Sequence, residues 1–165
     1  MVYLALDQAL VTTGYSLFQD DKLLDYGIFN VSAGKPLDAR LGEYWKHLNT
    51  LLKSSDKRFD YIFFEDTQKQ QNTETFRKLC YVESATILWC YFNELKYKIL
   101  SPSHWRSVIK DSCGVTFGRK REEQKQVAID FVKKQFNKDV TSDEADSICL
   151  GFAGYKELRS SMSAF

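Results

Sequence analysis

Four carboxylates stand where the chain could do chemistry. Asp7 and Glu65 each close a short apolar run, Val2 to Leu6 and Tyr61 to Phe64, and Asp143 and Asp146 lie three residues apart near the far end of the sequence. An acid at the carboxyl end of a buried strand occupies the position where open α/β sheets bind ligands. A three-residue step puts Asp143 and Asp146 on one helix face, and that face continues through Cys149, Leu150 and Ala153, which aims Asp146 at the interior. Ionised acids converging on partly buried ground cost free energy unless a cation or protons compensate. A hard ion such as Mg²⁺ prefers carboxylates and water to nitrogen or sulfur. Two such ions about 3.5 to 4 Å apart can activate water and stabilise the leaving oxygen of a phosphodiester. Taken singly, each acid has a plainer reading. A strand-ending acid is commonly a solvated turn residue, and Thr141 with Glu144 makes a capping box whose first-turn acids simply suit the helix dipole. The joint pattern of all four carries the inference.

The elements that must position these acids follow from hydrophobic periodicity. Val2 to Leu6 reads as a strand covered on both faces. Thr12 to Phe18 and Leu23 to Val31, around the polar turn from Gln19 to Lys22, read as a hairpin. Pro36 opens an amphipathic helix to about Lys53 on Leu37, Leu41, Tyr44, Trp45, Leu48, Leu51 and Leu52, closed by Ser54-Ser55-Asp56-Lys57. A second helix from about Glu74 to Leu95 is apolar around much of its circumference, which makes it central to the core or shared with a second subunit. Tyr97 to Leu100 is a short strand, Ser101-Pro102-Ser103 starts a helix through Ile109, Asp111 to Gly118 is a loop, and helices over Arg121–Phe136 and Ser142–Leu158 finish the fold. Three strands first, then strands alternating with helices, predict an α/β fold: a mixed five-stranded sheet in which the strands ending in Asp7 and Glu65 are central neighbours.

The chain has 165 residues, which fits one domain over residues 1–158 with a short tail, 159–165. With 44% hydrophobic and 15% aromatic residues it can fill a core. The net charge of +1 gives no global field, so any nucleic-acid contact must come from local clusters. Arg119, Lys120, Arg121 and Lys125 form one such cluster, and Arg106 lies one helix earlier; the plainer reading is a solvated helix face on which Glu122 and Glu123 pair with Lys120 or Lys125. Cys80, Cys90, Cys113 and Cys149 form no CxxC pair, and His47 and His104 have no zinc-finger spacing, so buried free thiols and no zinc are expected. Trp45, Trp89 and Trp105 sit at core spacings. No signal peptide fits the opening residues and no apolar run approaches ~20 residues, so a soluble protein without membrane contact is expected.

These segments resemble a known family. LALDQALVTTGYSLF (Leu4 to Phe18), FFED (Phe63 to Asp66) and SDEADSICLG (Ser142 to Gly151) resemble the first strands, the second catalytic strand and the terminal helix of the RuvC Holliday-junction resolvases, within the ribonuclease-H-like superfamily. The resemblance runs from about Val2 to Glu157. It implies that Asp7, Glu65, Asp143 and Asp146 are catalytic ligands of two Mg²⁺ ions, with Mn²⁺ able to substitute. It also implies in-line attack by water leaving a 5′-phosphate and a 3′-hydroxyl, and a homodimer acting on branched DNA, with the 74–95 helix as the candidate shared surface. By the same resemblance Lys125 matches a catalytic lysine and Arg106 a basic position; together with the charged cluster Arg119, Lys120 and Arg121, and with Gln68, they are the expected DNA contacts. Two departures stand out. The turn after the first Asp reads Gln8-Ala9-Leu10 instead of containing glycine. Gln68 stands where cellular members have an aromatic that stacks on a base, which implies a structure-selective enzyme of the compact phage type with relaxed sequence preference. The implied setting is the cytoplasm of a bacterial cell or a phage-infected host. Two readings compete: a ribonuclease H acting on RNA–DNA hybrids, and a branched-DNA binding protein without catalysis. Sugar kinases and chaperone ATPases of the actin-like kind share the acid, turn and Thr-Gly opening, but they need two such domains and phosphate-binding glycines.

Overall fold

The two apolar runs that end in acids form strands β1 (Val2–Asp7) and β4 (Tyr61–Glu65) in a computed structural model that describes residues 1–55 and 58–162. Between them lie β2 (Thr12–Gln19), β3 (Lys22–Asn30) and α1 (Leu37–Ser54); after them come α2 (Thr73–Phe92), β5 (Lys96–Leu100), α3 (Pro102–Cys113), α4 (Arg121–Phe136) and α5 (Ser142–Met162). The sheet order is β3-β2-β1-β4-β5. β1 pairs antiparallel with β2, and β2 with β3, whereas β1 with β4 and β4 with β5 are parallel. The expected mixed sheet is present, and β1 and β4 are its central neighbours.

Side chains alternate across a strand, and here the alternation decides where the acids point. Val2, Leu4, Leu6, Ile62 and Phe64 join Tyr44 and Leu48 of α1 and Val82 and Trp89 of α2 in one core. Tyr3, Ala5 and Phe63 join Trp105 and Ile109 of α3, Phe131 and Val132 of α4, and Ile148, Cys149 and Phe152 of α5 in the other. Asp7 follows Ala5 by two residues and Glu65 follows Phe63 by two, so both acids emerge on the α5 side. Their strands are in register there, with Leu6 opposite Phe64 one step earlier. Each large apolar side chain so buried contributes roughly 1.5–3 kcal/mol.

α5 lies closely on this face because Gly154 presents no side chain: a Cβ there would come 2.5 Å from the ring of Phe63. α3 starts where its sequence dictates. The Ser101 hydroxyl accepts from the backbone N–H of His104, Pro102 fills the first turn, and Gly114 closes the helix in the left-handed region at φ 70°.

Some boundaries differ from expectation. α3 continues past Ile109 to Cys113, so the loop begins at Gly114, and α5 continues past Leu158 to Met162. Asp56, Lys57 and residues 163–165 lie outside the described residues. The four cysteines are free as expected, but only Cys90 and Cys149 are buried; Cys80 is half-buried and Cys113, on the last turn of the lengthened α3, is exposed. No helix among the described residues is long and apolar enough to cross a membrane.

Candidate active site

Asp7, Glu65, Asp143 and Asp146 line one cleft of about 480 Å³ at the carboxyl ends of β1 and β4, under the first turns of α5. Asp7 is walled in by protein with only a part of its surface open to the cleft. Burial, reinforced by the negative charges of Glu65, Asp146 and Asp143 and opposed by Lys125, holds its carboxyl well above the usual carboxylate range. Burial also pushes Glu65 up to about 7, against a hydrogen bond from Trp105 and with added repulsion from Asp146. Asp146 is raised to about 6 by burial, against the pull of Arg106 and Lys125. Asp7, Glu65 and Asp146 therefore share one electrostatic environment, in which Arg106, Lys125 and the Trp105 N–H offset only part of the cost of their charge.

α5 reaches this position through a close contact with β2. A Cβ on Gly14 would lie 2.8 Å from the carbonyl carbon of Asp143 and nearer still to its oxygen, so only glycine admits the helix there. Two residues on, the buried Ser16 hydroxyl donates to the carbonyl of Ser147 at 2.8 Å. The helix start is capped as the sequence predicts: Glu144 accepts from the backbone N–H of Thr141 at 2.7 Å, and its own N–H donates to the Thr141 hydroxyl at 3.4 Å.

The turn after Asp7 has its own function in the architecture. Gln8 donates through Nε2 to the backbone carbonyl of Glu65 at 3.1 Å and accepts through Oε1 from the Thr86 hydroxyl at 2.7 Å. Thr86 is fully buried in α2 and lies 2.8 Å from the hydroxyl of Tyr44 on α1. A chain of polar groups thus ties the end of β4 to both helices of the opposite layer.

Basic and amide side chains complete the cleft. Arg106, Arg119, Arg121, Lys125 and Gln68 line it, together with Gln8, Thr67, Gln70 and Gln124. Lys125 donates to the Ser142 hydroxyl at 3.1 Å and lies 3.9 Å from Asp143. The Arg106 guanidinium stacks 4.7 Å from the centre of the Trp105 ring. Gln68 is exposed and donates to Asp66. Lys120 is not among the lining residues; it precedes the first turn of α4, where its backbone N–H meets Glu123 at 3.5 Å. His104 pairs with Glu157 at 3.0 Å, away from the cleft, as a structural histidine. Trp89 and Trp105 are fully buried. The spacing of Trp105 is consistent with core, and its indole N–H also donates to Glu65 at 2.8 Å. The signal was available in principle, since a buried indole N–H needs an acceptor.

The side chains are not closed around a single point. Among the described residues, no group of three or more His, Cys, Asp or Glu is arranged to hold a metal ion. Glu65 takes Trp105 as a partner, and Asp143 takes Ser142 and Lys125. The donor set nevertheless fits a hard divalent cation: all four donors are carboxylates, three of them are destabilised as anions by burial, and they front a common cleft.

No family model matches the chain, and no curated protein matches it in sequence. Solved structures do match. The Thermus thermophilus RuvC in complex with a Holliday junction substrate is similar at a TM-score of 0.76 and 14% identity, covering 97% of this chain and 96% of that one. A second Thermus thermophilus RuvC structure gives 0.75 at 15% identity, with 98% and 97% covered. The chain therefore has the ribonuclease-H-like fold of RuvC over nearly its whole length.

Proposed function

We propose that this chain is a divalent-metal-dependent endonuclease that cuts branched DNA, with the four-way Holliday junction as its principal substrate. The observation that carries this reading is the convergence of Asp7, Glu65, Asp143 and Asp146 from two central strands and the closing helix into one cleft edged by Arg106, Arg119, Arg121 and Lys125. A pure binding protein would gain nothing from burying acids where phosphates must approach. The fold is that of a protein whose structure was solved with a Holliday junction.

In this mechanism the four carboxylates would hold two Mg²⁺ ions, with Mn²⁺ able to replace them. Such ions supply activation of water and charge stabilisation at the leaving oxygen. Lys125, already paired with Ser142 and close to Asp143, turns to the scissile phosphate and offsets charge growing there. Arg119 and Arg121 hold flanking phosphates, which fix register without reading sequence. Arg106 faces Asp146 and Glu65 from its seat on Trp105. Hydrolysis leaves a 5′-phosphate and a 3′-hydroxyl. Gln68 gives no aromatic surface for a base to stack on, so cleavage positions show little sequence preference, as in compact phage-type enzymes. Two copies joined through α2 place two clefts on one symmetric junction.

The test is cleavage of a synthetic four-way junction beside matched duplex, forked DNA and an RNA–DNA hybrid, in Mg²⁺ or Mn²⁺ and again with chelator. Metal-dependent nicking of the junction above duplex is expected. Cutting confined to the hybrid would make the protein a ribonuclease H, and junction binding without cutting in either metal would make it a binding protein.

A further inference from the structure

We infer that Trp105 is a positioning residue for Glu65, its indole N–H holding Oε2 and so fixing the direction in which the carboxylate faces a cation in the cleft. This assignment rests on the reading of the cleft as a divalent-cation site and adds a residue to it. The indole nitrogen lies 2.8 Å from Glu65 Oε2. An indole N–H donates and never accepts, so at this contact Glu65 Oε2 is the acceptor. Hydrogen bonds of this charge-assisted kind are about twice as strong as neutral ones.

The donor is also immobile. Trp105 is fully buried in the α5-side core beside Leu100 and Ile109. Its ring meets Phe117 edge-on at 5.4 Å and 89°, and the Arg106 guanidinium covers it at 4.7 Å. Its place in the first turn of α3 is set by the Ser101 cap. The backbone of the same glutamate is tied separately, by Gln8 to its carbonyl. Glu65 is thus held at both ends. Both bonds oppose a rotation of the carboxylate away from Asp146. Removing such an outer partner of a metal ligand typically weakens metal affinity about 10–100-fold.

The experiment measures Mn²⁺ binding to the full chain by calorimetry and by loss of the free-ion spin resonance signal. It compares wild type, Trp105→Phe, a chain carrying benzothienylalanine at position 105, and Asp7→Asn. The benzothiophene ring keeps the indole's shape and replaces the N–H with sulfur, so packing is preserved even where Trp105→Phe fails to fold. Both position-105 variants are expected to bind Mn²⁺ about 10–100-fold more weakly than wild type, the benzothiophene chain still melting in one cooperative transition. Wild-type affinity in the benzothiophene chain overturns the assignment of Trp105 and leaves the nuclease reading standing. Wild-type protein that binds no more Mn²⁺ than Asp7→Asn overturns both.

Discussion

Gly14 of β2 lies directly beneath the backbone carbonyl of Asp143, close enough that a single added methyl group would overlap it. The helix that carries two of the four acids is thus seated on a residue from the opening hairpin. Gly14→Ala must push the start of α5 off the sheet. Overpacking of this kind costs about 1–3 kcal/mol, and each kcal/mol shifts Tm by about 2–4 °C in a chain of this size. The variant should fold with a lowered Tm, while cleavage falls about 10²-fold through misplacement of Asp143 and Asp146. Differential scanning calorimetry and junction cleavage on the same preparation check both; an unchanged Tm would mean the helix does not rest on Gly14.

Asp7 combines the strongest burial with repulsion from three other acids. Asp7→Asn keeps the shape and removes the charge. It should abolish junction cutting, leave junction binding within about threefold, and raise the Tm of chelator-treated protein. Gel-shift, cleavage and melting measurements separate these effects, and a lower Tm would contradict the electrostatic account.

The same groups set a pH dependence whose sign can be worked out. Asp7, Glu65 and Asp146 titrate above their unfolded values, so between about pH 4 and about 7, the value for Glu65, the folded chain binds more protons than the unfolded one. Stability from these groups is present at low pH and lost as pH rises through that window. In chelator the Tm contribution should therefore fall toward pH 8. Mg²⁺ or Mn²⁺ should then raise Tm more at pH 8 than at pH 5.5. Thermal shift at the two pH values, with and without metal, is the measurement; equal metal shifts at both would refute it.

On α2, Tyr91 is 76% exposed, Phe92 69%, Leu88 51% and Tyr81 45%. These side chains stand outside while Val82, Thr86, Trp89 and Cys90 of the same helix are buried. An aromatic face of this kind is the usual centre of a subunit interface. If two copies meet there, Tyr91→Glu combined with Phe92→Arg should convert a dimer to a monomer in sedimentation experiments while leaving the Tm of the monomer near that of the parent. A wild-type chain that sediments as a monomer at every concentration excludes this surface as the interface.

Much of this arrangement was legible in the sequence because it is written in short-range patterns. The apolar runs before Asp7 and Glu65 gave two central strands, and the three-residue step from Asp143 to Asp146 gave one helix face. What stayed hidden depends on contacts between distant segments. Gln8 is read from sequence only as a departure from a glycine turn, because its partners Thr86 and Glu65 come from other elements. Trp105 is read as core, and burial was correct; its second function is visible only once α3 is laid beside β4. Lys120 looked equivalent to Arg119 and Arg121, but a helix start rotates neighbours in different directions, and only the two arginines reach the cleft.

The site draws Asp7 from the first strand and Asp143 and Asp146 from the last helix. With α5 detached from the sheet the chain would own only half of these acids. On the proposed reading, the full set of four acids exists only while that one helix is docked.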